Sequence, residues 1–329
     1  MTAFVLVNIS LFAILGATAL AITRMRALYE ATMLTALFSL VTGSLFVLLD
    51  AVDVAFTEAA VGVGISTVLL LGVLSLTRSR EAVTPRRRRL PAALVVLFTG
   101  GTLGYAAQDL PPFGSATTPV RDHPVTETYL YQSQQDMGIP NTVTSVLASY
   151  RGLDTLGELV VVFTAGVTVL LLLGPLTRRN RPVKRDLVLA DYRVLRVVSG
   201  VLMPFILLFA LYVLFHGDYG AGGGFQAGVI FASGFVLYGL VFGLDRVQQV
   251  LPQRVLWVLI PLGLLLFMGL GVATVLLGGS FLDYDTLRPD DPAAGQRLGI
   301  LLVETAIGLT VATVMTSVFF SFTGRGASR

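Results

Sequence analysis

The chain of 329 residues contains no cysteine. No disulfide framework, thiolate zinc site, iron–sulfur cluster or thiol nucleophile can be built from it, so any electron chemistry lies elsewhere. Charge is scarce too. Asp, Glu, Lys and Arg make up 13% of the residues against 54% hydrophobic, a balance that excludes an ordinary water-soluble domain. Lysine occurs once, at Lys184, and histidine only at His123 and His216, which leaves no histidine metal centre in prospect.

What the chain has in quantity is long apolar runs. Crossing roughly 30 Å of hydrocarbon at about 1.5 Å per residue takes about 20 residues. Nine runs qualify, near 3–22, 29–49, 54–76, 91–107, 154–176, 192–215, 225–243, 254–278 and 297–322. The expected fold is therefore all-α, a polytopic membrane bundle of about nine transmembrane helices. The first run lacks a basic leader and a small-residue cleavage site, so it reads as a retained helix.

Basic residues crowd into alternate connections. Arg121, Arg151, Arg288 and Arg297 fall on one side, and the rest of the 23 Lys and Arg on the other, including the tract PRRRRLP at 85–91. By the positive-inside rule the N-terminus is expected outside and the C-terminus in the cytoplasm, with the tract a cytoplasmic anchor. The longest polar stretch, about 108–141, then lies outside. It ends in NTVTSVLASYRGLD, where Val143, Val146, Leu147 and Tyr150 have the spacing of an amphipathic surface helix, most simply one covering the protein's own bundle.

Ionisable groups within apolar runs are costly unless they face protein or water, so the few that occur are candidates. Glu58, Glu158 and Glu304 each fall in the first third of a run. For Glu58 and Glu158, pairing with the positive end of a helix dipole is an equal alternative. Glu304, about 10 Å beyond a start near Arg297, is deep enough to hold a proton or pair with a cation. Between the sixth and seventh runs stands FHGDYGAGGGFQAG, residues 215–228. Its glycines permit close backbone approach and exposed N–H groups at a helix start, but it lacks the Lys-Ser/Thr of a phosphate loop.

This segment, LYVLFHGDYGAGGGFQAGVIFASGFVLYGLVFG, together with RLGILLVETAIGLTVATVMTSVFF, resembles the B subunit of the Mrp multisubunit cation/proton antiporters. DAVDVAFTEAAVGVG resembles the small domain after the antiporter-like portion of the Mrp A subunit, and also a small component of membrane-bound hydrogenases. NTVTSVLASYRGLDTLGELVVVF resembles the next piece of those complexes. The resemblance implies three modules: a three-helix unit over 1–90, a two-helix unit with an outer loop over 91–189, and a four-helix unit over 190–329 similar to the Mrp B subunit. The chain departs from the expected pattern in having His216-Gly217-Asp218 and Ala221 before Gly222-Gly223-Gly224.

The resemblance further implies an accessory component of a bacterial or archaeal cell membrane, neither an enzyme nor a cofactor carrier. Its partners would be other Mrp-type subunits and the lipid bilayer, not nucleic acid. Glu304, Glu158, Glu58, His216, Asp218, Asp53 and Asp154 become candidates for an ion path, with Gly222, Gly223, Gly224 and Phe225 forming its loop. Sodium is the implied ion, at residues the sequence does not assign. Two other classes stay open, a membrane arm of a redox-driven complex such as a hydrogenase, and a purely structural assembly component.

The expected topology has a clean test because native cysteine is absent. Single cysteines at Thr118 and Gly217 are expected to react with an impermeant maleimide from outside, and one at Thr84 is not; labelling of Thr84→Cys from outside would reverse the map.

Overall fold

The computed structural model describes residues 2–77, 80–81, 86–173 and 193–326. Among them nine helices are long and apolar enough to cross a membrane, and no strand occurs. In hydrocarbon only a helix satisfies its own backbone N–H and C=O groups, so each apolar run closes on itself. The basic run around Lys184 lies outside the described residues.

Helices α1 (Thr2–Arg24) and α2 (Leu28–Leu48) form a hairpin. The third span is α3 (Val52–Thr57), a π-helical stretch Glu58–Ile65, and α4 (Ser66–Leu76). Next come α5 (Arg86–Ala106) and the short helices α6 (Pro124–Glu127), α7 (Ser133–Met137) and α8 (Thr142–Ser145), the last continued by a π turn Val146–Tyr150. Helices α9 (Gly152–Leu173), α10 (Arg193–His216), α11 (Gly224–Phe242), the short α12 (Leu244–Val250), α13 (Gln253–Leu276) and α14 (Pro292–Gly326) complete the chain.

The core is α14, against which α11, α13, α9 and α4 all pack. Without a hydrophobic driving force between helices in lipid, association depends on close contact, and small residues allow it. A Cβ on Gly228 of α11 would sit 2.7 Å from the Gly308 carbonyl oxygen, and one on Gly263 of α13 would sit 2.8 Å from Ala306 O and 3.0 Å from Thr310 N. The hydroxyls of Thr310, Thr313, Thr316 and Ser321 are buried in this packing, each donating to a carbonyl four residues back on α14. A buried hydroxyl thereby costs little in hydrocarbon.

Two expectations change. Helix α14 starts at Pro292, not near Arg297, because Asp291 accepts from the Ala294 N–H at 3.0 Å and proline suits the first helical position. Glu304 is therefore about 18 Å along the axis from the helix start. The segment 142–150 does cover the bundle, but with its small face. Thr144, Ser145 and Ala148 are buried, while Val143 and Leu147 are 41% and 42% exposed. Small side chains admit close packing, and Val143 and Leu147 are left to line an open cavity.

The fifth helix, α5, stands apart, with none of its membrane-length window buried by the rest of the chain. The structure also refines the labelling map. A side chain at Gly217 would press within 2.9 Å of the Gly223 nitrogen, so Tyr219, 72% exposed in the same turn, is the better cysteine position.

The packing makes a direct prediction. Gly263→Val is expected to lower the thermal midpoint of the purified chain by several degrees, as overpacking of about 1–3 kcal/mol requires. Gly269→Val, in the same helix but with nothing within 4 Å, is expected to leave it unchanged. Fluorescence-detected size exclusion after heating reads both; equal midpoints would show that the α13–α14 contact is not tight.

Candidate functional site

The glycine-rich turn between α10 and α11 is held from two sides. Its carbonyls are taken by the segment before α9: the Asn141 amide donates to Gly217 O and Gly220 O, both at 2.9 Å, and the Thr144 hydroxyl donates to Gly217 O at 2.7 Å. The Asn141 N–H donates to Asp218 O at 3.0 Å. Of its N–H groups, those of Tyr219, Gly220 and Gly223 donate to carbonyls of α10, and two others reach carboxylates. Gly222 donates to Asp53 Oδ1 at 3.3 Å, and Gly224, the first residue of α11, donates to Glu304 Oε2. The Gly224 N–H is an orphan donor of the helix start, and Gly222 lies just before the cap residue Gly223; the dipole there favours negative charge.

Only glycine fits this arrangement. Gly223 has φ +117°, a conformation that side chains oppose, and a Cβ on Gly224 would fall on the Glu304 carbonyl. The chain crosses the backbone of α14 here, so the Glu304 carboxylate can reach the helix start.

Asp53 of α3, Glu158 of α9 and Glu304 of α14 line one cavity of about 300 Å³. Thr57, Thr144, Gly222 and Gln226 add polar wall, and Val143, Leu147, Leu159 and Phe225 add apolar wall. Three carboxylates therefore share a pocket in the membrane bundle with no basic side chain among its lining. Glu304 and Asp53 are partly buried, and Glu158 is exposed. Three acids and no base along one wall favour positive over negative charge in the cavity, although among the described residues no three acidic or histidine side chains are grouped closely enough to hold a metal ion together.

The other sequence candidates stand elsewhere. Glu58 lies on the π-helical stretch, its carboxylate beside Gly62 and the Ser39 hydroxyl, toward α2 and not among the cavity lining. Asp154 is exposed and paired with Arg151 at 2.6 Å, a surface pair of little energetic weight. His216 stacks on Tyr212 with centroids 4.9 Å apart, outside the cavity. Asp218 sits in the turn, where burial pushes its carboxyl above the ordinary range and the Arg297 guanidinium partly opposes this. Gly222 and Phe225 line the cavity, while Gly223 and Gly224 shape the backbone beside it.

Sequence reasoning missed Thr57, Gln226, Asn141 and Thr144. The Gln226 amide donates to the Thr57 hydroxyl at 2.8 Å, joining α3 to α11 across 169 positions of sequence. The signal was present as neutral polar side chains in or beside apolar runs, which a search for charge passes over.

Comparison with known proteins matches the chain in three consecutive parts. The family model described as a domain related to the MnhB subunit of Na+/H+ antiporter matches residues 194–317. The family models MbhD and MbhE, for the D and E subunits of MBH, match residues 13–79 and 87–194. A probable K(+)/H(+) antiporter A/B subunit of Rhizobium meliloti is 27% identical over 296 residues, covering 78% of this chain but 28% of that protein. A putative antiporter subunit mnhB2 of Staphylococcus haemolyticus is 32% identical over 133 residues, 40% of this chain and 94% of that protein.

Among solved structures, a chain of the Mrp complex from Dietzia sp. superposes with a TM-score of 0.76 at 26% identity, covering 95% of this chain and 34% of that one. A chain of the archaeal membrane-bound sulfane sulfur reductase superposes with a TM-score of 0.56 at 30% identity, covering 72% of this chain and 98% of that one. The chain thus spans about a third or less of the longer relatives it matches. With nearly the whole length of an mnhB2 relative covered at 32% identity, and the same region matched by the family model, the chain belongs to the MnhB-related family of Na+/H+ antiporter subunits.

Proposed function

We propose that the chain is an accessory membrane component of a multisubunit monovalent cation/proton antiporter, in which the cavity of Asp53, Glu158 and Glu304 completes an ion path at a subunit junction. One observation carries this reading. The cavity takes its wall from all three matched segments: Asp53 and Thr57 from the first, Thr144 and Glu158 from the second, and Gly222, Gln226 and Glu304 from the third. Carboxylates from separate modules meet in one pocket, as a path for a positive ion requires. The partners would be larger antiporter-like subunits, in a multi-pass assembly of the cell membrane.

The chain has a single lysine, Lys184, and none of the nine apolar helices among the described residues carries one. On this reading partner subunits would supply the ammonium groups that exchange with the carboxylates. In this arrangement Glu304 is the central station, fixed by the Gly224 N–H. Glu158, exposed at the edge of the cavity, faces the neighbouring protein. His216, Asp218, Glu58 and Asp154 have positions outside the cavity, so Asp53, Glu158 and Glu304 are the residues on which the proposal rests.

A second reading has an observation of its own. The match to the sulfane sulfur reductase chain over 98% of that chain favours a membrane arm driven by electron transfer. The same cavity would serve either machine, with the driving reaction located in other subunits.

Two experiments test the proposal. Inverted vesicles carrying the whole operon are expected to show sodium- or potassium-dependent pH change, and vesicles with this chain alone none; robust exchange by the single chain would make it a self-sufficient transporter. In the assembled complex Glu304→Gln is expected to lower exchange about tenfold or more, and Glu304→Asp less, because Gln keeps size but cannot titrate. Exchange by the Gln variant equal to wild type would leave Glu304 a structural carboxylate.

A further inference from the structure

Gln226 is a neutral side chain that ties two walls of the cavity, α3 and α11, together. It is 8% exposed, and its amide donates to the Thr57 hydroxyl, which in turn donates to the Asp53 carbonyl at 3.0 Å. One continuous chain of hydrogen bonds thus runs from α11 to the turn of α3 that carries the Asp53 carboxylate. That carboxylate accepts from the Gly222 N–H of the glycine turn. The Gln226 amide oxygen turns the other way. A methyl group placed on Gly223 would lie 3.5 Å from this oxygen and 3.0 Å from Glu304 Oε2, so the two oxygens converge on the space that glycine leaves open.

An amide suits this position for a physical reason. It donates to fix one wall and presents an oxygen to the cavity without adding a negative charge to three carboxylates. A buried amide bond of this kind also has strict geometry in a poorly solvated site, where losing a partner is costly.

We infer that Gln226 is the positioning residue of the cavity: it holds the Asp53 turn against the glycine turn and sets a neutral oxygen beside Glu304, so that a monovalent cation meets two carboxylates and an amide in fixed places. This rests on the ion-path reading above and deepens it. A group that merely stabilised the fold would change how much complex assembles, but not the cation concentration at which the surviving complex binds.

The test uses the whole complex in membrane vesicles. Glu304 is labelled with a hydrophobic carbodiimide, labelling is read by mass spectrometry, and sodium chloride or potassium chloride is titrated to half-protection, with Glu304→Gln as the blank. Gln226→Leu is expected to raise the half-protecting concentration about tenfold, and Thr57→Val to raise it in the same direction, because each removes the same bond. The double variant should go no further than Gln226→Leu, and Thr57→Ser should stay within about twofold of wild type. The KM for the cation should rise with it, while turnover stays within about twofold.

Unchanged protection in both single variants would overturn the inference, as would fully additive effects or a loss of complex with wild-type protection in what remains. If Gln226→Leu does not assemble, Thr57→Val, nearly the same size as the native residue, decides alone. Failure of the underlying reading looks different: neither cation would protect the wild type, and Glu304→Gln would still exchange. Protection of the wild type with unchanged variants sinks only the role of Gln226.

Discussion

Two groups that hydrocarbon cannot solvate satisfy each other at the start of α11. The first N–H groups of a helix have no intrahelical partner, and a carboxylate within a membrane bundle has no water to lean on. Gly224 at the helix start and Gly222 just before the cap supply the donors; Glu304 and Asp53 supply the acceptors. Removing either member would leave the other buried without a partner, so the pairing constrains much of the surrounding structure.

The constraint propagates outward. For the carboxylate of α14 to reach the start of α11, the two backbones must nearly touch, which dictates glycine at 224 and the left-handed turn at Gly223. With the Gly222 and Gly224 N–H groups given to carboxylates, the carbonyls of Gly217 and Gly220 need donors of their own. Asn141 and Thr144 provide them, which is why a loop from the second matched segment is bonded to the turn of the third. That loop in turn delivers Val143 and Leu147 to the cavity wall. A local problem of helix-end hydrogen bonding thus decides which parts of the chain form the pocket.

The helices and the glycine turn were legible in the sequence because their causes are local. Twenty apolar residues have one stable outcome in lipid, and a run of glycines before a helix has few. Glu304 was legible as a charge inside a span. The pairing of Asp53 with Gly222, 169 positions away, was not, since no local pattern encodes it. The start of α14 was misplaced because Arg297 was read as the edge of the span, although Asp291-Pro292 carries the capping signal. The burial of Thr144, Ser145 and Ala148 in 142–150 was not legible, because a search for an apolar face passes over small residues. In a membrane the small residues make the close contacts.

Exposure has different consequences at helix α5 and at the cavity edge on α9. Helix α5 has no burial along its span within the described chain, and Glu158 opens the cavity on α9 with the apolar side chains of Val143 and Leu147 among the lining. An apolar helix can rest in lipid indefinitely at no cost, so the exposure of α5 alone demands nothing. A carboxylate cannot, because lipid offers it no hydrogen bond and no counter-charge. Glu158, six residues into α9, has the positive end of its own helix nearby, and the exposed edge there is where water, a cation or a polar group of a neighbouring chain would complete its solvation.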